Sequence, residues 1–258
     1  MAGDLSKARA FIGSVDLSGT PRWPLAQDAE ADAGEVFATA KAQAQVVGSG
    51  LFSFTVGVDA EVREAISSSA LLAQLVANKR ASAEHAPTEW YAAYRDVLQN
   101  IGWVLQDAGW ADYSAAGTAV EVHQKVIEVL QAALGPSAAA LSVIRSAIDV
   151  LQAMSPQTSW FTIFDREAHH ARIARFQIGL VEKGEADDVY VSLLACLIEA
   201  RASVTQVLFF KFRNERATFK ADSAKASVDS ASLRALLPAI SAKVRAYQAD
   251  YLSSIVDI

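Results

Sequence analysis

The sequence predicts an α+β fold, with a helix-rich N-terminal two thirds packed on a C-terminal antiparallel β-meander and helices closing the chain. Three observations predict it. Apolar residues recur at three- and four-residue steps through most of positions 34–155. After Ser155-Pro156 the texture turns aromatic and β-branched, with runs that alternate at period two. From Ser232 to Ile255 helical spacing returns. Helices gathered ahead of a sheet imply segregated elements, with the helices covering the sheet.

Residues 1–33 mix Gly, Pro and Asp and read as an irregular N-terminal arm, with Trp23 in a position to pin it to the body. The remainder, 34–258, reads as a single compact domain, helix-rich over 34–155 and sheet-containing over 156–258. Gly34 to Val47 is Ala-rich, with Val36, Phe37, Ala40, Ala44 and Val47 at helical spacing before Gly48-Ser49-Gly50, and is expected to be the first helix. Phe52, Phe54 and Val56 cannot share one helical face, so Leu51–Val58 is a short strand or an extended connection. Asp59 is placed to cap a helix that turns Val62, Ile66, Ala70, Leu71 and Leu75 inward and ends on Lys79-Arg80, as the helix dipole favours. Pro87 opens another, whose stripe runs from Trp90 through Tyr94 and Leu98 to Leu105, with Gly109 as its stop. Helices over Ala119–Leu134 and Ser137–Met154 meet at Gly135-Pro136 and should pack as an antiparallel pair.

In the C-terminal part, Trp160–Phe164 reads as extended, and three strands are expected at Arg172–Glu182, Asp188–Arg201 and Val204–Lys220. The middle one is apolar on both sides and carries Cys196. Pro238 should kink or divide the closing helix.

Composition bounds the function. A 258-residue chain with 52% hydrophobic residues builds a sizeable core. A formal net charge of −6 argues against a protein made to grip nucleic acid, which needs clustered basic surface. One cysteine makes no disulfide framework, and the start Met-Ala-Gly-Asp-Leu-Ser-Lys lacks the pattern of a Sec signal peptide. Synthesis in a cytosol is the expectation, with any release by a route other than Sec. No uncharged run of about 18 apolar residues marks a transmembrane helix.

No nucleophile elbow, phosphate loop or dinucleotide fingerprint is present. His169-His170 follows Asp165 and Glu167, but adjacent histidines point apart on a strand and diverge on a helix, so they form no chelate. Catalysis is therefore not the favoured reading; a noncontiguous site around Glu167, His170 and Arg172 is the enzyme alternative. Cys196 stands between two roles, an inert core thiol or the attachment point of an acyl chain. An acyl chain held inside the protein needs an apolar tunnel, with Phe176, Ile178, Leu194, Phe210 and Phe212 as its lining.

With Thr88-Glu89-Trp90-Tyr91-Ala92-Ala93-Tyr94-Arg95 and Ile101-Gly102-Trp103 in its helical part and a late lone cysteine in an apolar run, the chain resembles the Erwinia virulence factor family of bacterial insect-gut virulence proteins. The resemblance implies a mixed α/β fold and a palmitoyl group in thioester linkage, which by position falls on Cys196. It also implies a non-enzymatic virulence or toxin-associated role at host gut cells or membranes. A pore-forming or membrane-remodelling toxin is the alternative, motivated by the Ala-rich amphipathic helices and by Leu51–Val58.

Overall fold

The computed structural model of the chain describes residues 2–22, 36–82, 84–113, 120–170, 172–184, 188–201, 206–209, 211–212 and 217–258. Trp23 and the rest of the expected arm to residue 33, and Phe210, lie outside them. The arm opens as a helix and only then becomes irregular, over residues 15–22. Helix α1 (Ala2–Ser14) buries Ala8 and Ile12 in the core shared with the late helix α7 (Ser230–Val244). Three side chains from the far end of the sequence hold the segment that follows: Lys243 Nζ donates to the carbonyl of Gly13, Tyr247 Oη to that of Leu17 and Tyr251 Oη to that of Pro21. Such long-range anchoring leaves no local signature.

The expected first helix is instead a hairpin. Strand β1 (Gln43–Val47) turns at Gly48-Ser49 into β2 (Gly50–Phe54). Gly48 sits at φ 51°, in the left-handed region where glycine carries no Cβ penalty. Pairing on both sides overrides the Ala-rich helix propensity, because β1 lies between β2 and the last strand, β10 (Leu252–Asp257). The Arg63 guanidinium fastens the approach to β1, donating to the carbonyls of Val58, Lys41 and Thr55 and to Gln43 Oε1 at 2.8–2.9 Å.

Helix α2 (Ala60–Arg80) starts where expected, with Asp59 Oδ1 accepting from the N–H groups of Glu61 and Val62. It is buried almost all round, which its Ala and Ser residues allow by letting neighbours approach closely. Helix α3 (Pro87–Asn100) also starts as expected but stops nine residues before Gly109. Gly102 at φ 96° breaks the helical path, and Val104–Asp112 continues as strand β3, in which Gly109 marks an irregularity of register. The helical spacing of Val104 and Leu105 was a coincidence of two elements read as one.

Strand β4 (Val120–Glu121) leads into α4 (Val122–Leu134), and α5 (Ala138–Ala153) follows, capped by Ser137 Oγ on the N–H of Ala140. The two form the expected pair. Trp160–Phe164, expected as extended, is part of helix α6 (Ser159–Ala168), whose Trp160, Phe161, Ile163 and Phe164 make one buried stripe. Short β5 (His169–His170) precedes β6 (Ile173–Lys183) and β7 (Asp188–Ala200), both as expected. The third strand is displaced. Val207–Phe209 is a 3-10 turn, Lys211–Phe212 forms β8 against β4, and the strand that pairs with β7 is β9 (Ala217–Asp229). Helix α7 runs through Pro238 to Val244, short α8 (Gln248–Tyr251) follows, and the chain closes as strand β10 rather than helix.

Among the described residues eight strands share one sheet, in the order β10-β1-β2-β6-β7-β9-β3, with β5 pairing β6. The pairings are antiparallel apart from β2 with β6. One face packs on α1, α2, α3 and α7, the other on α4, α5 and α6, so two apolar cores lie on either side of the sheet. The fold class is α+β, with helices on both faces and strands drawn from the whole chain.

Candidate functional site

The centre of the sheet is the meander β6-β7-β9, and its register decides which side chains meet. Towards α4, α5 and α6 it presents three rows, apolar but for Ser223: Ala174, Ile198 and Phe219; Phe176, Cys196 and Ala221; Ile178, Leu194 and Ser223. Cys196 is 0% exposed in the middle row. Burial pushes its thiol well above the ordinary value, because an anion there has no water to solvate it. In this folded state it is an unreactive, protonated thiol.

Of the residues expected around it, Phe176 lies directly opposite Cys196, while Ile178 and Leu194 face each other in the adjoining row. All three are fully buried in the same core. Phe210 is outside the described residues. Phe212 belongs to β8, in a separate two-stranded sheet with β4, so it is not on the third strand of the meander. That place falls to Ala221, with Phe219 two residues before it. The alternation of Ala217, Phe219 and Ala221 carried this signal, but small residues among Lys and Asp make it faint. The cavity of about 10 Å³ behind β7 is lined by Tyr91, Tyr94, Gln177, Leu193, Ala195 and Asp222, and not by Cys196.

The opposite face of the same strands is polar at one end. Arg175 is 1% exposed, with its guanidinium carbon 3.4 Å from the centre of the Trp90 ring. It donates to Ser49 Oγ and to the carbonyl of Glu167. Burial lowers it to about 10, which leaves it charged at neutral pH. Two residues along β6, Gln177 Oε1 accepts from Ser49 Oγ, and Gln74 binds the backbone of Val47 and Ser49. Tyr91 Oη reaches the carbonyls of Phe176 and Cys196, the two residues of the row behind it, at 2.7 and 2.8 Å. On β9, Asp222 pairs with Arg95 at 2.6 Å. Desolvation raises both Tyr91 and Tyr94, so neither phenol ionises.

Glu167, His170 and Arg172, the residues of the enzyme alternative, lie around the junction of α6 with β5. Glu167 is held against Arg166 at 2.8 Å and raised by burial, His170 is half-buried, and Arg172 is exposed. Among the described residues no group of three or more His, Cys, Asp or Glu is placed to hold a metal ion, and no helix is long and apolar enough to cross a membrane. The arrangement is a two-sided sheet, apolar beneath α4, α5 and α6 and polar at one end of the reverse face.

No protein-family model matches the chain, and no curated protein matches it. Solved structures do. One described as a delta-endotoxin is 14% identical, over 70% of this chain and 80% of its own, with a TM-score of 0.42. The activated Cyt2Ba monomer from Bacillus thuringiensis subsp. israelensis is 17% identical over 48% of this chain and 72% of its own, at a TM-score of 0.30. The structure of the Evf virulence factor is 9% identical over 96% of this chain and 91% of its own, at a TM-score of 0.33. This last structure is of the family that the sequence resembles.

Proposed function

We propose that the chain is a toxin- or virulence-associated protein that damages membranes by delivering the β6-β7-β9 meander into the bilayer after the α4-α5-α6 layer lifts away. The observation that carries this reading is the meander itself. Its strands are 11, 13 and 13 residues long, against the roughly 9–11 that a tilted transmembrane strand needs. Ala174, Phe176, Ile178, Leu194, Cys196, Ile198, Phe219 and Ala221 give the covered rows of one face to lipid, up to the polar row of Ser192 and Lys225, whereas Arg175, Gln177, Lys220 and Asp222 give one end of the other a lining for water. An open sheet edge is not tolerated in hydrocarbon, so insertion requires several copies to close on one another.

Dye-loaded liposomes test the reading. The protein should release dye in proportion to its concentration, and release should rise steeply as copies accumulate. Binding to liposomes with no release at any protein concentration would contradict it.

A second reading places a fatty acyl thioester on Cys196. The family resemblance supports it, as does the apolar core around the thiol, where each buried methylene gains about 0.8 kcal/mol. Because the thiol is closed over, acylation belongs to a state in which the helical layer is open, during folding or at a membrane. Intact mass of protein from its native producer should fall by one acyl group on neutral hydroxylamine; a mass equal to the bare chain from the start refutes it.

A further inference from the structure

Beyond the helical layer, the same sheet face is open. The turn at Gly135-Pro136 between α4 and α5 ends the cover, and the last rows of the meander form the floor of a cavity of about 350 Å³. This is within the usual size range of small-molecule pockets. Register places its groups. Ser192, Lys225 and Gln106 lie side by side on β7, β9 and β3, and the next row holds Glu182, Tyr190 and Ser227. Tyr190 is 48% exposed, an unusual state for a large aromatic residue at the centre of a sheet. Ser137 Oγ donates to Glu182 Oε1 at 2.7 Å, which holds that carboxylate at the rim.

We infer that this cavity binds a neutral sugar ring. The argument is one of matching. A sugar hydroxyl both donates and accepts, and the pocket offers both: Lys225 and Gln106 donate, Glu182 and Gln106 accept, and the serines do either. The flat C–H face of a pyranose suits the exposed Tyr190 ring, which brings large contact area at small entropic cost. Other ligand classes meet an opposing group. A phosphate or carboxylate would face the Glu182 carboxylate, a quaternary ammonium would face the Lys225 ammonium, and an acyl chain would strand the polar side chains without partners. Opposite charges within one small pocket balance for a ligand that carries none. Sugar binding neither requires membrane insertion nor tests it.

Saturation-transfer NMR with the full chain decides the matter, using the methyl glycosides of glucose, galactose, mannose and N-acetylglucosamine, with inorganic phosphate and choline as the charged comparisons. At least one glycoside should bind saturably with a Kd of about 1–10 mM, the range of a single shallow sugar contact. Tyr190→Ala should weaken that binding by about tenfold or more, without changing the melting temperature. Should that variant fail to fold, Lys225→Ala, at an exposed position, should weaken it as well. Absence of binding by all four glycosides, tighter binding of phosphate or choline, or unchanged affinity in the folded variants would overturn the assignment.

Discussion

Cys196 shows what a single residue reveals and conceals. Its burial was legible, because an apolar run with hydrophobic residues on both faces has to be covered on both sides. Its neighbours were only half legible. Phe176 and Leu194 follow from strand alternation, whereas Phe212 was assigned by continuing a period-two pattern through a turn the sequence does not announce. In the folded chain the thiol is a packing group, so Cys196→Ser buries a hydroxyl in an apolar core. The variant should lose roughly 1–3 kcal/mol of stability in urea unfolding, and an unchanged midpoint would mean that the core is looser than its burial implies. His170 gives a second test at this scale. Burial, reinforced by the nearby charges of Arg175 and His169, lowers it to about 4, below the ordinary value near 6.5. A group depressed on folding contributes stability that is present above about pH 6.5 and lost as the pH falls towards 4. Glu167, raised by desolvation, acts in the opposite sense, since its protonation favours the folded state as the pH falls. The difference between variants isolates the histidine: His170→Gln should flatten the acid limb of the stability profile, and an identical slope would show that His170 does not titrate as described.

Elements were legible where their ends carry chemistry. Asp59, Pro87, Ser137 and the Gly135-Pro136 turn placed four helix boundaries, because a cap or a missing N–H acts within one turn of chain. Three elements were hidden because strand pairing, not local propensity, makes them strands: β3 and β10 pair with strands distant in sequence, and β1 pairs with distant β10 as well as with its hairpin partner β2. Ala-rich β1 carries helix propensity, and tertiary pairing overrides it. The parallel joint of β2 with β6 was equally silent, although it holds the two halves of the sheet together. There Phe52 lies opposite Gly179, and a Cβ at Gly179 would overlap the Phe52 ring. Gly179→Ala should therefore cost about 1–3 kcal/mol through overpacking. Combined with Phe52→Leu, which makes room, part of that loss should return, and the non-additivity in thermal melts measures the contact. Strictly additive losses would place the ring elsewhere.

For the whole molecule, the α+β class was legible, but the layering was not. The sequence suggested helices on a late meander, whereas strands from three regions of the chain build one sheet with a helical layer on each face. That layering is what gives the proposed function its physical form. The apolar rows of the meander are stable in water only while α4, α5 and α6 cover them, and the cover is joined to the sheet by side-chain packing rather than by strand pairing. Lifting the layer therefore costs packing energy but breaks no strand-to-strand hydrogen bonds of the meander. Cys196, at the centre of the covered face and unique in the chain, reports on it directly. With hydroxylamine-treated protein and a lipid-soluble maleimide, labelling followed by intact mass should be slow in buffer and should approach completion once liposomes are added. If Cys196 stays as unreactive on liposomes that leak dye as it is in buffer, the meander has not left its cover, and the account of its action is wrong.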